Sequence, residues 1–363
     1  MKRIVVIGGG YAGTALARGL DKSADVVLVE PRDRFVHNVA AIRAVADPSI
    51  FDRAAFAYDR LLHRGRVIRE RATAVTGTSV TLSNGDVLEA DAVVVATGST
   101  YAKPFKPATD NTDDMRVAID EAHQRVRAAE SIAIVGAGAV GTELAGELAA
   151  GLPGRTIHLI NAAPTLFPGY GPSLGRKLSS QLQALGVTVI SAASVREPAS
   201  MSEPYSGVLE LSSGSTLTAD LVFPVTGATP ANALLKTLPD VLIDASGRAV
   251  VDGWLRPSPA HPSLYALGDA VAVGDAMTVV AVLRQEPWLR KALKSVLDGK
   301  QVQELPCYAP WPLAPILLPL GPKQGASALP VTSGGLAVGA FLTSMIKGKT
   351  LFIPRYRKEF GYA

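Results

Sequence analysis

RIVVIGGGYAGTALARGL, residues Arg3 to Leu20, returns as SIAIVGAGAVGTELAGEL, residues Ser131 to Leu148. At an offset of 128 the two stretches agree at eight of eighteen positions. The agreement includes every glycine of a G-x-G-x-x-G: Gly8, Gly10 and Gly13, then Gly136, Gly138 and Gly141. A continuous apolar run precedes each loop, as a strand buried on both faces requires, and a small-residue helical pattern follows. The spacing has a physical cause. The first glycine permits a tight turn, the second lets a pyrophosphate approach the backbone, and the third lets helix and strand pack closely, with the anion resting on the helix N-terminus. One such motif is weak; two, each between a strand and a helix, point to two dinucleotide-binding units.

Outward from the loops, the repeat covers whole domains. Asp25 to Val29 reads as a second strand ending at Glu30, 22 residues past Gly8, near the spacing of a carboxylate that takes ribose hydroxyls. In the second unit the strand Thr156 to Ile160 ends at Asn161 instead. EADAVVVATG, ending at Gly98, and TADLVFPVTG, ending at Gly227, correspond at an offset of 129. Between these landmarks, Arg34 to Leu62 reads as helical with a Pro turn at Asp47 to Ser49. Ala72 to Leu82 reads as one arm of a hairpin that turns at Asn84-Gly85 and returns through Val87 to Val95. Tyr101 to Asp113 reads as a linker, followed by a helix over Asp120 to Ala129. A helix over Ser173 to Leu185, a strand over Val187 to Ser191 and a hairpin over Val208 to Phe223 complete the second unit. Met277 to Leu297 is a further helix. From Glu304 onward the chain turns Pro-rich and apolar, and ends in aromatics with a basic cluster at Arg355, Arg357 and Lys358. The expectation is an α/β protein with two Rossmann-like three-layer dinucleotide-binding domains, the second inserted in the first, plus a small C-terminal α+β domain. The boundaries fall at residues 1–112 with 236–303, 113–235, and 304–363.

Composition narrows the chemistry. Of 363 residues, 48% are apolar and 19% charged, which suits a packed α/β protein. The single cysteine, Cys307, rules out a disulfide framework, a Cys-x-x-Cys pair and a cysteine metal site, so electron chemistry needs a bound cofactor and no metal is expected. It also fits a reducing compartment. A net charge of +4 suits an anionic membrane better than nucleic acid, because no basic run occurs before the last few positions. Met-Lys-Arg running straight into a strand leaves no room for a signal peptide or a myristoylation site. The apolar stretches Leu313 to Leu320 and Leu336 to Ile346 are too short to span a bilayer. The expected location is the cytoplasm, with peripheral contact at the inner face of a membrane.

Taken together, the first glycine loop, Glu30, Ala96-Thr97-Gly98 and Leu267-Gly268-Asp269 resemble the flavin site of the flavoproteins with two dinucleotide-binding domains. The resemblance implies FAD held by Gly8, Gly10, Tyr11, Ala12, Gly13, Glu30, Pro31, Arg32, Asn38, Ala96, Thr97, Gly98, Gly268 and Asp269, with Asp269 on a ribityl hydroxyl. The helix from Met277 would then aim its positive end at the flavin N1/O2 edge. The second loop resembles an NAD(P)H site built from Gly136, Gly138, Val140, Gly141 and Asn161. Glu143 would lie near the nicotinamide ribose, and Thr226-Gly227 with Pro230 and Asn232 would flank the nicotinamide. With Asn161 in the acid's place and no arginine in the next ten residues, NADH and NADPH are both expected to serve.

RFVHNVAAIRA, Arg34 to Ala44, is narrower than the glycine motifs. It resembles the ferroptosis-suppressor family of apoptosis-inducing-factor homologues, relatives of the type II NADH:quinone oxidoreductases, and the likeness runs nearly end to end. It implies His37 beside the isoalloxazine. In KGKTLF, Lys347 would approach the flavin and Phe352 would line the acceptor pocket; Gln285, after Arg284, would contact the ring. Pro306 to Leu329 departs from the relatives, which leaves the acceptor open. The implied reaction carries electrons from NAD(P)H through FAD to a quinone. The tail around Pro312 to Leu320 would offer an apolar slot, and the same segment, with Arg355, Arg357 and Lys358, would rest on an anionic bilayer; the other uses of the tail are packing alone or a homodimer. Two other readings stand beside this one: a reductase of a small iron–sulfur protein, and a nucleotide-sensing flavoprotein that works mainly by interaction.

Overall fold

The structure is a computed structural model in which residues 1–362 are described. Its first sheet is five-stranded and parallel, in the order Leu264–Ala266, Ala92–Val95, Arg3–Ile7, Asp25–Val29, Arg66–Ile68. The apolar runs read from the sequence occupy its centre because both faces are covered. Ile4 and Val6 pack against the helices Tyr11–Leu20 and Val279–Leu297. Val5 and Ile7 pack against a three-stranded meander through Val75, Val80 and Leu82. The result is three layers: helices, sheet, meander.

The second sheet repeats the plan in the order Val187–Ser191, Thr156–Asn161, Ser131–Val135, Thr216–Pro224, Tyr205–Glu210, with only the last strand antiparallel. Register matches the sequence offset. Val6 lies between Leu28 and Val94, and Ile134, 128 residues on, lies between Leu159 and Phe223.

The tail forms a small three-stranded antiparallel sheet, Ile316–Leu320, Gln324–Leu329 and Leu336–Val338, followed by short helices at Ala340–Thr343, Ser344–Gly348 and Ile353–Glu359. Its sheet is buried on the second unit through Leu318, Leu320, Ala326 and Ala328. Its last helix returns to the first unit, where Phe360 stacks on Phe35 at 4.8 Å between centroids and on Phe56 at 5.6 Å.

Three local expectations change. Arg34 to Leu62 is not helical throughout: Arg34–Val36 pairs antiparallel with Ala55–Ala57, and only Asn38–Ala44 and Ser49–Asp52 are helices between them. The β-forming Phe35 and Phe56 face each other in that pair, and their burial outweighs the helical spacing around them. Both arms of the long hairpin are broken: the first at Thr76 to Thr78 into Ala72–Val75 and Ser79–Leu82, and the return arm into Val87–Glu89, which stays in the meander, and Ala92–Val95, which joins the parallel sheet. At the first break the Thr76 hydroxyl accepts from the backbone of Thr78 and Ser79, a local turn that competes with the ladder. The helix after the linker starts at Thr112, not Asp120. Asn111 caps it by accepting from Asp113 N, and Asp113 and Asp114 sit at its positive end.

Candidate functional site

The two glycine loops are built alike. Gly8 and Gly136 take φ values of 106° and 112°, conformations that a side chain would strain. A Cβ on Gly13 would stand 1.8 Å from the Gly8 carbonyl oxygen, and one on Gly141 would stand 1.9 Å from that of Gly136. These glycines are packing requirements. By contrast, a Cβ on Gly10 or Gly138 meets nothing within 4 Å among the described residues. That opening lies at the start of each following helix, where backbone N–H groups await an anion. Each loop therefore fits a pyrophosphate group.

Around the first loop, Glu30 is buried and accepts from Gly9 N and from Arg32 through Nε at 2.8 Å and Nη2 at 3.1 Å. Burial of Arg32 is outweighed by this carboxylate, so its pKa is raised. The Tyr58 hydroxyl donates to the Gly9 carbonyl at 2.9 Å and steadies the loop. Ala96, whose carbonyl crowds Gly8, is followed by Thr97 and Gly98. Ser99 beyond them donates to Asp269 at 2.5 Å, and Lys106 lies 3.4 Å from the same carboxylate. Gln285 is held by protein partners at both ends of its amide. It is buried under the turn, accepts from Gly268 N at 2.8 Å and donates to Asp275 at 3.1 Å. Asp275 also takes the Tyr308 hydroxyl and Trp311 N. Asn38 Oδ1 is a buried acceptor with no partner among the described residues, one position from His37.

His37 is 1% exposed and tied at both nitrogens. The Leu351 carbonyl can only accept, so Nε2 carries the proton and donates to it at 2.5 Å; Nδ1 then accepts from the Tyr11 hydroxyl at 2.9 Å. Burial, helped by the Lys347 and Arg355 charges, pushes the pKa of His37 down to about 4, so the ring is neutral. Burial also raises that of Tyr11. Leu351 and Phe352 are both left-handed, at φ 51° and 61°, a sparsely populated pair of states for such residues. They turn the chain into the final helix, whose Tyr356 lies 4.4 Å from the His37 ring. Phe352 is half-buried here.

The helix Ala139–Gly151 is where the parts of the chain meet. Gly146 lets it approach the strand Ile316–Leu320 so closely that a Cβ would stand 2.5 Å from Leu320 Cα. On its buried face, Glu143 accepts from Lys347 Nζ at 2.7 Å, and Lys347 also donates to the Leu317 carbonyl at 3.0 Å. One turn on, Glu147 receives both arms of Arg43 at 2.8 Å. Burial lifts Glu143 to about 6 although Lys347 pulls it down, and burial raises Glu147 as well.

The closing loops of the two units touch directly. Thr97 Oγ1 donates to the Ala231 carbonyl at 2.5 Å, and Ser99 and Thr100 pair with Pro230 and Thr229. Thr226 and Gly227 precede that ladder. Asn161 spends its amide on its own turn, donating to Ala163 O at 2.8 Å. Sequence reading passed over Arg43, Glu147 and Tyr356. The first two were visible as the arginine of the His37 motif and as an acid four residues past Glu143; Tyr356 carried no signal. A cavity of about 420 Å³ is lined by Lys103, Lys106, Met115 and Arg125, among others, and by no residue of either glycine loop.

Comparison with known proteins agrees with this architecture. The profile of the family described as pyridine nucleotide-disulphide oxidoreductase matches residues 2–287. Apoptosis-inducing factor homolog B of Dictyostelium discoideum is 28% identical over 98% of this chain and 96% of its own. Ferroptosis suppressor protein 1 of Xenopus tropicalis is 27% identical, covering 99% and 96%. Among solved structures, the sulfide:quinone oxidoreductase of Aquifex aeolicus superposes with a TM-score of 0.77 at 16% identity, over 99% of this chain and 91% of that one. NDH2 from Plasmodium falciparum in complex with NADH gives 0.73 at 14% identity, over 99% and 97%. These two establish likeness of fold.

Proposed function

The chain belongs to the pyridine nucleotide-disulphide oxidoreductase family, and from that premise we propose that it is an FAD-dependent NAD(P)H:quinone oxidoreductase. One observation carries the reading: two glycine loops of one design, each open at its middle glycine, closed by strands that pair through Ser99–Pro230 and Thr100–Thr229. Two dinucleotides held this way would meet at their reactive ends. Ferroptosis suppressor protein 1 is among the relatives, and NDH2 and a sulfide:quinone oxidoreductase share the fold. Cys307 is the only cysteine, so no cysteine pair relays electrons.

When bound, the flavin supplies two-electron transfer between a nicotinamide and a quinone. The protein's part is to bind, orient and exclude water. We divide the chain into a flavin domain, residues 1–112 and 236–303, a coenzyme domain, 113–235, and an acceptor domain, 304–363. Gly8, Gly10, Gly13, Glu30, Pro31 and Arg32 would hold the adenine half of FAD, with Tyr11, Ala12, Asn38, Ala96, Thr97, Gly98, Gly268 and Asp269 along the rest. Gly136, Gly138, Val140, Gly141, Glu143, Asn161, Thr226 and Gly227 would receive the coenzyme, and Asn161 admits either phosphorylation state. His37, neutral and fixed in one tautomer, together with Lys347, Phe352 and Gln285, would shape the face where the acceptor reacts.

No helix among the described residues is long and apolar enough to cross a membrane. Yet Phe341, Leu342, Met345 and Ile346 cluster on the tail helices, with Phe341 79% exposed. We assign this apolar face, with Lys349 beside it, to the surface of an anionic bilayer that dissolves the quinone. A homodimer formed through the same face is the competing use.

The test is one spectrum. Purified protein should carry a flavin band that NADH bleaches and a short-chain quinone restores. A preparation that takes up no flavin when offered it, or one bleached by NADH that no quinone reoxidises, refutes the proposal. Reoxidation by a ferredoxin alone would favour the iron–sulfur partner. Flotation with anionic liposomes tests the tail: no binding, or binding that persists in F341S/M345S, removes the membrane assignment.

A further inference from the structure

The His37 motif also carries Arg43, to which the proposed reaction gives no task. The helix Asn38–Ala44 carries it into the interface with Ala139–Gly151, where Nε and Nη2 donate to the two carboxylate oxygens of Glu147, both at 2.8 Å. The side chains are 9% and 3% exposed. A buried pair of this kind is seldom more stable than apolar residues of the same size, so stability alone does not explain it. One turn back on the same helix, Glu143 is paired with Lys347. Four charges from three parts of the chain thus form a neutral buried cluster.

We propose that Arg43 is a positioning residue for the nicotinamide coenzyme: clamped to Glu147, it supplies the counter-charge that keeps Glu143 ionised and available to a ribose hydroxyl. The inference rests on the reading of Glu143 as a coenzyme ligand. Glu143 is faced by Lys347 from the tail, by Glu147 on its own helix and by Arg43 from the first motif's helix. The strand Ile316–Leu320 offers only a backbone carbonyl, to Lys347. Burial and Glu147 push the Glu143 carboxyl up, while Lys347 and Arg43 hold it down. Removing the Arg43 charge leaves Glu143 and Glu147, one turn apart, to share the single cation Lys347, so the two carboxylates titrate as a coupled pair that holds its first proton to higher pH, and Glu143 carries part of that proton.

The experiment titrates the flavin-loaded protein with NAD⁺, which binds without reacting, by calorimetry from pH 5.5 to 8. The proteins are wild type, R43Q, R43K and R43Q/E147Q. In R43Q the acid limb of NAD⁺ affinity should move up by about one pH unit, weakening binding about fivefold at pH 6 and converging with wild type at pH 8. R43K and R43Q/E147Q both keep the cluster neutral, and both should retain the wild-type limb. A purely mechanical clamp predicts instead that all three variants lose affinity equally at every pH. That result, or an unmoved limb in R43Q, overturns the proposal. If R43Q does not fold, the other two decide: a displaced limb or tenfold weaker binding in either refutes it. Wild-type protein that binds no NAD⁺ at all refutes the coenzyme-site reading itself, an outcome distinct from binding that is indifferent to Arg43.

Discussion

Acid should destabilise this protein through His37, by an amount that can be worked out. The ring is 1% exposed, and burial lowers its pKa from the ordinary 6.5 to about 4. Unfolding returns the side chain to water, where it takes a proton below pH 6.5, while the folded state resists that proton until pH 4. The unfolded state therefore binds more protons throughout this window, and stability falls as pH drops. The loss from this one group is negligible at pH 7.5, about 2 kcal/mol at pH 5 and about 3 kcal/mol at pH 4. The perturbation is H37Q, whose amide nitrogen reaches for the Leu351 carbonyl as Nε2 does, without a titrating group. Urea unfolding of wild type and variant at pH 7.5 and pH 5 isolates the contribution, because every other acid-sensitive group is common to both. The wild type should lose about 2 kcal/mol more than H37Q between these two conditions. Parallel losses would mean that His37 exchanges protons freely in the folded state, and the buried neutral tautomer would have to be abandoned.

Three other outcomes follow from the same geometry. G10A should lower flavin affinity at least about tenfold while changing apoprotein stability by under about 1 kcal/mol; fluorescence titration with FAD and a thermal melt would show whether the opening at Gly10 is a ligand cradle or empty space. G141A, whose Cβ collides with the Gly136 carbonyl, should abolish NADH-dependent bleaching while the flavin band persists, and a fully active G141A would contradict the shared design of the loops. Because Glu143 sits at about 6, it is charged above that pH and protonated below it, so kcat/KM for NADH should fall as pH drops through 6; E143Q should flatten this limb, and a limb that survives in E143Q belongs to another group.

How far the sequence foretold this molecule depended on the range of the interaction involved. The glycine loops were legible because they rest on near neighbours, with Gly13 crowding Gly8 and Glu30 reaching Gly9; the strands before them, although Ile4 pairs with the distant Ala92, were legible from their unbroken apolar runs and from the repeat. Arg34 to Leu62 misled because its helical spacing is local, while the pairing of Phe35 with Phe56 is rewarded by Phe360, some 300 residues away. The surroundings of Gln285 were likewise hidden: its side-chain carbonyl accepts from Gly268 N and its amide donates to Asp275, 17 and 10 residues away. Lys347, Glu143, Arg43 and Glu147 were spread along the chain as unrelated letters. Only the approach of the helix Ala139–Gly151 to both ends of the protein gathers them.

The tail's dependence on its neighbours has a consequence in time. Its three strands find their apolar floor on the second unit, and Phe360 finds its stack on the first, so neither half of the tail has a core to fold around by itself. On a growing or refolding chain the last sixty or so residues must wait for both units to close. The tail is then the final piece to set. Pulse-labelled hydrogen exchange should find the Gln324–Leu329 amides protected after those of Arg3–Ile7 and Ser131–Val135, and simultaneous protection would argue that the tail helps to nucleate the fold.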